Sequence, residues 1–454
     1  MTDDETFGYI RNHFSERIEG IEHLKKALDN PNLPERAYAV QATGMFEFGL
    51  YQEIENFLID QQITEIERTA EFESRLNCGY DVPEVFDGLV YENRYYGLET
   101  VRNALDVGYG TVVIATGGGK SFIIASLLEN IWRNRKKDFK CLIIVPGLSL
   151  VDQLSKNFEE YGVGFSYSGW SGKTPLQETE VVICNTENLC AQFDKNPWLR
   201  DVDVVITDEV HKSKSSTKLS GYISKIRTPH KFGFTGTLPP MKIDAWKVIG
   251  QFGPVIYEKS SKNLRDEEFL SNVTVRMVRI NHAYHYRRPY KKELEFIYNC
   301  VPRNKVIRDI VSKLNKNILI LVNHLEHGEN LLEMLQLPGK DTFFVKGEMV
   351  VPDRKKVVEH MEESDNVVCV AMSSIFSTGI DIKNLHFIIF VSGGKSFVRT
   401  VQSVGRGLRL HDTKKKLAIL DIYDNLEFSE RHALHRKEFY DKEKIQWKET
   451  EISI

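Results

Sequence analysis

The sequence predicts an α/β protein in which two parallel-sheet domains follow a small α+β domain. From Val90 onward, short β-branched apolar runs alternate with segments of helical periodicity, which is typical of a parallel sheet covered by helices. A second alternating block begins near Val273, so we expect domains at residues 1–89, 90–272 and 273–454. A length of 454 residues agrees with roughly three domains of about 150 residues each.

Each predicted strand is a short run of β-branched and other apolar residues. The first block offers Thr111–Ile114, Cys141–Val145, Val181–Cys184, Val202–Thr207 and Lys231–Phe234. The second offers Val273–Ile280, Ile318–Val322, Thr342–Val345, Val367–Ala371, Phe387–Val391 and Leu417–Ile422. No low-complexity linker separates the blocks, so the two α/β domains are expected in tandem.

The N-terminal domain has weaker signals. Apolar residues recur on one side of a helix from Tyr9 to Leu28, and Asn30–Pro34 ends that helix. A second helix is predicted at Leu50–Ile59, with short strands at Ala37–Gln41 and Ile63–Ile66. The sequence leaves this domain's task open between packing or oligomerisation and substrate binding.

The composition, with 41% hydrophobic and 27% charged residues, is that of a soluble globular protein. Six cysteines without a CxxC pair lie mostly in apolar runs, which favours reduced core residues over disulfides or a zinc site. No apolar run approaches the roughly 18 residues of a membrane helix, and the start, MTDDETFG, lacks a signal-peptide pattern. We therefore expect a protein of a reducing cytoplasm with no membrane partner.

The charge is unevenly distributed along the chain. Residues 1–90 carry 7 Lys and Arg against 19 Asp and Glu, whereas the remaining residues carry 53 against 45. A weakly basic body favours a polyanionic partner, although only weakly, since most such charges are solvated.

A glycine-rich turn follows the first strand of the α/β region. Thr111–Ile114 is predicted as a buried strand and Ala115–Ser121 as the turn, and Phe122–Leu128 opens a helix. Residues without side chains let several backbone N–H groups converge on one phosphate, and the helix N-terminus adds partial positive charge. Lys120 can then reach the β- and γ-phosphates of a nucleotide while the Ser121 hydroxyl binds Mg²⁺. The first glycine of the common P-loop pattern is absent, and a turn that binds nothing is the alternative.

Two adjacent acids close the apolar run Val202–Thr207. Ligands sit at the carboxyl ends of strands in open α/β sheets, where Asp208 and Glu209 are expected. One carboxylate is needed to hold Mg²⁺ and a second to position and deprotonate the attacking water. We assign Asp208 to the metal and Glu209 to the water. Two acids alone are usually an ordinary surface pair, but the strand that precedes them and the upstream glycine turn favour a site.

Two arginines lie near the end of the second block, in QSVGRGLR. Arginine suits bidentate phosphate contact, and a spacing of three residues puts Arg406 and Arg409 on one helix face. Alone this would be a basic helix for any acidic partner. Beside the other two motifs, it indicates arginine fingers that reach the γ-phosphate from the second domain.

Five motifs therefore occur in order: ATGGGKS, DEVH, FTGT at 234–237, FSTGID at 376–381 and QSVGRGLR. In this combination, over residues 91 to about 425, the chain resembles superfamily-2 helicases and translocases, and within them the phage UvsW-type branch-migration helicases. IIVP at 143–146, KNLH at 383–386 and GGKS at 393–396 support the narrower resemblance, as does Met45–Ile66 faintly. The resemblance implies two RecA-like domains and a DNA-binding N-terminal domain, with ATP and Mg²⁺ as cofactors.

The resemblance also implies roles for single residues. The catalytic residues would be Lys120, Glu209, Arg406 and Arg409. The nucleotide would contact Tyr96, Thr116, Gly117, Gly118, Gly119, Lys120, Ser121, Asp208, His211, Gly379, Asp381 and Gln402, with Mg²⁺ on Ser121 and Asp208. The nucleic acid would contact Pro146, Ser149, Gln153, Thr235 and Thr378, and Thr235 with Thr237 would couple the two sites. The alternatives are a plain strand-end turn at Thr235–Thr237 and a plain loop at Pro146.

One departure from the family concerns the base of the nucleotide. Arg94–Gly97 stands where the family has a Tyr-Gln pair that reads adenine, and Gly97 replaces the Gln. Tyr95 or Tyr96 can still stack on a base. The amide that reads the adenine edge is missing, so selectivity for ATP over other nucleotides is open.

Two further segments are ambiguous. His282–Lys292 mixes aromatic and basic residues, which suits either a strand-contact loop that stacks on bases or a solvated loop. His432–Lys448 is basic and helix-like, and packing of its Leu434 and Phe439 side on a core is favoured over nucleic-acid binding.

The sequence thus predicts an ATP- and Mg²⁺-dependent DNA translocase that acts on branched DNA, by branch migration of Holliday junctions or fork regression. An RNA helicase is the nearest alternative, although DEVH and QSVGRGLR favour DNA. The motor subunit of a restriction or repair complex is another, and cleavage would then come from a partner. An ATP-binding switch that clamps nucleic acid without moving is disfavoured, because it need not keep Glu209 and both arginines.

Overall fold

The computed structural model describes residues 4–18, 25, 33–84, 86, 89–91, 93–134, 138–172, 174–212, 218–269, 272–283, 289–347, 349–373, 382, 384–391, 416–442 and 444–454. The chain divides into two compact units, one of residues 1–114 and 119–259 and the other of residues 115–118 and 260–454. Among the described helices, none is long and apolar enough to cross a membrane.

The N-terminal residues form a small α+β region. Its elements are α1 (Asp4–His13), the antiparallel pair β1 (Ser15–Arg17) and β2 (Arg36–Tyr38), α2 (Tyr51–Asp60) and α3 (Ala70–Leu76). The helix predicted at Leu50–Ile59 is confirmed by α2. The prediction of a helix from Tyr9 to Leu28 is wrong at Ser15–Arg17, where the chain forms β1, and residues 19–24 and 26–28 lie outside the described residues. The strand predicted at Ile63–Ile66 is also wrong, because those residues form no strand.

The first unit contains a seven-stranded sheet. Its strands are β3 (Gly110–Ile114), β4 (Cys141–Val145), β5 (Tyr167–Trp170), β6 (Val181–Asn185), β7 (Val204–Asp208), β8 (Lys231–Thr235) and β9 (Val255–Lys259). In space they follow the order β5-β6-β4-β7-β8-β3-β9, and every neighbouring pair is parallel. Strands β3, β4 and β6 are buried at every position, as a parallel sheet covered on both faces requires.

Helices connect these parallel strands. They are α4 (Tyr95–Val107), α5 (Lys120–Arg133), α6 (Leu148–Tyr161), α7 (Thr186–Gln192), α8 (Lys218–Ser224) and α9 (Lys242–Phe252). Helices α4 and α6 end at Gly108 (φ 81°) and Gly162 (φ 67°). Glycine takes this left-handed conformation without a Cβ clash, so the sequence stops each helix at a defined residue.

The N-terminal region shares a core with helix α9 of this unit. The buried cluster contains Ile10, Phe14, Val40, Leu50, Ile54 and Leu58 together with Ile249 of α9. At Gly49 the backbones approach so closely that a Cβ atom would lie 2.1 Å from the carbonyl oxygen of Ile249. Only glycine permits this approach, so the N-terminal region is fixed to the first sheet's unit by packing.

The second unit contains another seven-stranded sheet. Its strands are β10 (Asn272–Asn281), β11 (Ile318–Val322), β12 (Asp341–Val345), β13 (Val367–Met372), β14 (Phe387–Phe390), β15 (Lys416–Asp424) and β16 (Gln446–Ser453). The spatial order is β12-β13-β11-β14-β15-β10-β16, again with parallel neighbours. Two tandem parallel sheets confirm the predicted fold class. The units part between Lys259 and Ser260, ahead of the boundary predicted at 272–273.

The described helices of the second unit are α10 (Ser261–Asp266), α11 (Tyr290–Asn299), α12 (Val301–Ser312), α13 (Leu325–Met334), α14 (Val351–Glu363) and α15 (Glu427–Lys442). Segment 432–448 is therefore helical only to Lys442, and strand β16 begins at Gln446. The packing role expected for Leu434 is wrong, since Leu434 is 58% exposed. The buried side of α15 is polar instead: Arg436 Nε and the Tyr440 hydroxyl donate to Asp421 at 2.8 and 2.9 Å.

All six cysteines lie in the described residues and are free. Cys141, Cys184 and Cys369 are buried in strands, as expected. The expectation of core positions is wrong for Cys78, Cys190 and Cys300, which are only partly buried.

Candidate active site

Three of the predicted motifs, namely the glycine-rich turn, the two acids and FTGT, lie at the carboxyl edge of the first sheet. Strands β7, β8 and β3 are neighbours in that order, and their registers pair Asp208 with Phe234 and Val113 with Thr235. Since adjacent strands lie about 4.8 Å apart, the ends of β7 and β3 are separated by roughly 10 Å. The sheet thus brings the glycine-rich turn, the two acids and the Thr235 loop to one edge.

The turn after β3 has the backbone of a phosphate-binding loop. Gly117 (φ 83°) and Gly119 (φ 82°) are left-handed, and the Gly118 N–H donates to the Ala115 carbonyl at 3.0 Å. No heavy atom lies within 4 Å of a Cβ built at Gly119. Glycine is thus required there by φ rather than by crowding, and the open space lets an anion approach the backbone N–H groups.

Lys120 begins α5 and turns back toward the loop. Its Nζ donates to the Ile114 carbonyl at 3.0 Å, and the residue is only 8% exposed. The ammonium group is therefore held beside the left-handed glycines, where the N-terminus of α5 adds its partial positive charge.

Mg²⁺ would be held by Ser121 and Asp208. A hydroxyl and a carboxylate are oxygen donors of the type that Mg²⁺ prefers, and this ion normally completes its octahedron with water and substrate phosphates. Asp208 ends β7 and is partly buried, and its Oδ1 accepts the Glu209 N–H at 2.9 Å. One hydroxyl and one carboxylate fit a magnesium ion that keeps most of its ligands as water and phosphate oxygens. The described residues contain no cluster of three or more His, Cys, Asp or Glu suited to a metal.

Glu209 has a strained backbone. Its φ is 55°, in the left-handed region that a non-glycine residue enters at a cost of about 1 kcal/mol or more. Strain of this kind persists where the surroundings fix one side-chain direction. Here the carboxylate lies 3.2 Å from His211 Nδ1 (Oε2 to Nδ1), with a side chain 17% exposed.

His211 connects this carboxylate to the loop after β8. Its Nδ1 is 2.9 Å from Thr235 Oγ1. Thr235 Oγ1 donates its only hydrogen to the Thr237 carbonyl at 2.8 Å, so it must accept from His211, which places the proton on Nδ1. His211, Thr235 and Thr237 are therefore linked by hydrogen bonds along the sheet edge, and the Glu209 carboxylate lies in ion-pair distance of His211 at one end of this series.

Pro146, Ser149 and Gln153 continue the same edge at the end of β4 and the start of α6. Ser149 is exposed, whereas Pro146 and Gln153 are partly buried. Ser149 and Gln153 are four residues apart and share one face of α6. Because β4 is the neighbour of β7 on the side away from β8, this surface lies beside the acids rather than beside the glycine-rich turn.

The base-contacting residue needs a correction. Tyr96 is 0% exposed and its hydroxyl accepts from Arg94 Nη1 at 2.8 Å, so its ring is packed inside and has no open face for a base. Tyr95 is 55% exposed instead. Its hydroxyl accepts from Lys259 Nζ at 2.5 Å, and this ammonium group lies 4.9 Å from the ring centre.

Lys259 was not found by sequence reasoning. It ends strand β9 in register with Ile114, the residue before the glycine-rich turn, and is only 8% exposed. Gly97 leaves little room for a side chain, since a Cβ there would lie 2.9 Å from Asn93 Oδ1. The structure therefore offers an aromatic ring and an ammonium group beside the loop, with no amide at position 97.

Six predicted site residues lie outside the described residues. They are Thr378, Gly379, Asp381, Gln402, Arg406 and Arg409. Their roles stay predictions.

The chain matches two protein-family models and a curated relative. The family model "Type III restriction enzyme, res subunit" matches residues 91–240, and "Helicase conserved C-terminal domain" matches residues 302–411. The ATP-dependent DNA helicase UvsW of Enterobacteria phage T4 is 24% identical over an aligned length of 476 residues. The alignment covers 96% of this chain and 90% of that protein.

Two solved structures share the fold. The ATP-dependent Type ISP restriction-modification enzyme LlaBIII bound to DNA has a TM-score of 0.61 at 15% identity, over 80% of this chain and 32% of that chain. S. cerevisiae Dbp5 bound to RNA and ADP BeF3 has a TM-score of 0.57 at 11% identity, over 80% of this chain and 90% of that chain. One family model matches the region of the first sheet and the other matches the region of the second sheet. The chain therefore belongs to the superfamily-2 helicases, which are ATP-dependent enzymes.

Proposed function

We propose that the protein is an ATP- and Mg²⁺-dependent DNA translocase that remodels branched DNA, by branch migration of four-way junctions and regression of forks. The likeness to the phage T4 DNA helicase supports a DNA partner because it covers 96% of the chain. It therefore includes most of the N-terminal region, which lies outside both family models. Such a role places the protein in recombination, repair and replication.

Hydrolysis would use the carboxyl edge of the first sheet. The Lys120 ammonium group would contact the β- and γ-phosphates, and Glu209 would orient the attacking water and accept its proton. Mg²⁺ on Ser121 and Asp208 would neutralise charge on the phosphate oxygens. Arg406 and Arg409 would supply further positive charge from the second domain, which would make hydrolysis depend on the relative position of the two domains.

The observation that carries a motor role is the series of contacts from Glu209 through His211 and Thr235 to Thr237. Glu209, which would position the attacking water, lies 3.2 Å from His211, and His211 is hydrogen-bonded at 2.9 Å to the loop at the same sheet edge. A change in the Thr235–Thr237 loop when nucleic acid binds would move His211, and His211 would move the carboxylate. The rate of ATP hydrolysis would thereby depend on whether nucleic acid is bound.

The surface that contacts nucleic acid would include Pro146, Ser149, Gln153 and Thr378. The contact predicted for Thr235 needs a correction, because Thr235 is fully buried and would act only through His211 and Thr237. Polar side chains and backbone groups of this kind contact phosphates and sugars, which carry no sequence information. We therefore expect recognition of DNA shape, in particular of branch points, rather than of base sequence.

Two other functions have specific support. The fold likeness to LlaBIII and the restriction-subunit family model favour the motor part of a restriction or repair assembly. The fold likeness to Dbp5, bound to RNA, allows an RNA helicase. Both keep the ATPase site, so the choice among the three depends on the nucleic acid that stimulates hydrolysis and on its product.

The test measures ATP hydrolysis with duplex DNA, a four-way junction and RNA. We expect Lys120→Ala and Glu209→Gln to lose hydrolysis while still binding DNA, and the junction to stimulate the intact protein most. As controls, Lys305→Ala and Glu53→Gln make the same two types of substitution at exposed helix residues outside the site. Stimulation by RNA alone would replace the DNA proposal, and DNA-stimulated turnover by either site variant would contradict the site assignment.

A further inference from the structure

A buried lysine lies on the strand beside the glycine-rich turn and takes no part in the proposed hydrolysis. Lys259 ends β9 in register with Ile114, the last residue of β3. Adjacent strands lie about 4.8 Å apart, and Lys120 Nζ donates to the Ile114 carbonyl at 3.0 Å. Two lysines therefore flank Ile114. Lys120 would bind the phosphates, whereas Lys259, which is only 8% exposed, has no assigned role.

The order of the strands puts Lys259 on the side where the nucleoside is expected. Strands β8 and β7 lie on one side of β3, and β9 lies on the other. Glu209 follows β7, so the attacking water and the γ-phosphate would lie on that side. The nucleoside is joined to the opposite end of the triphosphate. We therefore expect the base toward β9 and toward helix α4, which packs against β9, and this placement rests on the proposed function.

The Lys259 ammonium group is held at the edge of an exposed aromatic ring. Its Nζ donates to the Tyr95 hydroxyl at 2.5 Å and lies 4.9 Å from the centre of that ring and 5.3 Å from the centre of the Tyr96 ring. The two rings are nearly perpendicular, at 89°. Aromatic rings attract a cation within about 6 Å, so both rings stabilise the ammonium group. Tyr95 is 55% exposed, and a base can therefore stack beside a fixed hydrogen-bond donor.

Arg94 is a second cation in this region, but it serves the other ring. Its Nη1 donates to the Tyr96 hydroxyl at 2.8 Å, and Tyr96 is 0% exposed. A base cannot stack on Tyr96. Lys259 is thus the cation that contacts the ring with an open face.

The chemistry of an ammonium group decides which base edges it can bind. It carries three hydrogen-bond donors and no acceptor. On the edge that carries N7, adenine offers only N7 as an acceptor, because its amino group is a donor, whereas guanine offers both N7 and O6. Gly97 supplies no amide to accept from the adenine amino group. Lys259 can therefore bond either purine and can make one more contact with guanine.

We propose that Lys259 reads the base of the bound nucleotide by donating to N7 of purines and, in addition, to O6 of guanine. Tyr95 stacks on the base and holds the ammonium group in place through its hydroxyl. The site then takes purine nucleoside triphosphates as a class, and Lys259 is the residue through which it accepts GTP beside ATP. A lysine that only fixed β9 to α4 would instead affect all nucleotides equally.

The test measures nucleotide affinity in the full-length protein with Mg²⁺, by displacement of an ATP that carries a fluorophore on its ribose. The competitors are ATP, GTP and their 7-deaza forms, in which carbon replaces N7. In the unaltered protein, loss of N7 should weaken binding roughly tenfold, as expected for one hydrogen bond to a charged donor. Lys259→Met keeps a long side chain without the ammonium group. In this variant the 7-deaza forms should bind as well as their parents, and GTP should lose roughly tenfold more affinity than ATP.

Two further variants control for a general effect of lost positive charge. Lys242→Met changes an exposed lysine at the start of α9 and should leave all four affinities unchanged, and Arg94→Met should keep the effect of N7. If Lys259→Met does not fold by circular dichroism, the unaltered protein decides, because equal affinity for GTP and 7-deaza-GTP would overturn the proposal. Equal losses of ATP and GTP in Lys259→Met, with the effect of N7 retained, would also overturn it. Purine binding of the expected kind without hydrolysis would contradict the proposed function alone.

Discussion

Replacement of Thr235 by valine tests the proposed coupling chain directly. Valine has nearly the same shape, and Thr235 is fully buried, so the change removes a hydroxyl with little change in volume. The two short hydrogen bonds of the hydroxyl are lost, the one from His211 at 2.9 Å and the one to the Thr237 carbonyl at 2.8 Å, together with a long one from the Thr237 N–H at 3.4 Å. At about 1 kcal/mol for each short bond, the coupling would weaken by about 2 kcal/mol, which corresponds to a factor of roughly 30.

The readout is the ratio of ATPase rates with and without DNA. We expect this ratio to fall by roughly 30-fold in Thr235→Val, whereas Thr235→Ser keeps the hydroxyl and should keep most of the stimulation. The reasoning is refuted if the valine variant is stimulated by DNA as strongly as the unaltered protein. Equal loss in the valine and serine variants would also refute it, because the serine variant retains the hydrogen-bonding group.

Three further predictions follow from single contacts. Gly49→Ala should lower the free energy of unfolding in urea by roughly 2–3 kcal/mol, because its Cβ would lie 2.1 Å from a backbone oxygen. Gly8→Ala in helix α1 has nothing within 4 Å of its Cβ and should raise the free energy of unfolding by up to about 1 kcal/mol. Equal effects of the two substitutions would contradict the close packing at Gly49. The pKa of His282 is raised to about 9, so its protonation contributes stability that is complete below pH 6.5 and is lost as the pH rises through about 9. The difference in unfolding free energy between the unaltered protein and His282→Gln should therefore shrink by about 3 kcal/mol over that interval. A difference that stays constant with pH would contradict this prediction. Without an amide at Gly97, kcat/KM for GTP should lie within roughly tenfold of that for ATP, and Tyr95→Ala should raise KM for both; strict ATP selectivity would show that another group reads the base.

In the two seven-stranded sheets, the strands that were not predicted share one property. β5, β9 and β16 all lie at sheet edges, where one side of the strand faces away from its neighbours. Val255–Lys259 and Gln446–Ser453 are largely exposed or half-buried along their length. They therefore lack the continuous apolar run by which the central strands were found.

In the candidate site too, residues beside central strands could be predicted and a residue on an edge strand could not. The positions of Lys120, Ser121, Asp208 and Glu209 could be predicted because they follow the central strands β3 and β7, whose apolar runs are clear. Their chemical roles stay predictions. Lys259 could not be predicted, since it ends an edge strand without a sequence signal. Tyr95 and Tyr96 are adjacent in sequence, and only packing decides which ring is buried.

Helix α15 illustrates why the C-terminal prediction failed. An apolar side of Leu434 and Phe439 was expected to face the core, yet the helix buries Arg436 and Tyr440. A buried acid, Asp421 of β15, makes this orientation favourable because it pairs with both. Helical periodicity of apolar residues cannot indicate a face that is held by polar partners.

The most direct test of the central claim is the conversion of a labelled four-way DNA junction into forked products with ATP and Mg²⁺. We expect ATP-dependent conversion by the intact protein and none by Lys120→Ala. Absence of conversion, with ATP hydrolysis still stimulated by plain duplex, would keep the motor and contradict branch migration. Conversion by Lys120→Ala at the rate of the intact protein would contradict the assignment of the nucleotide site.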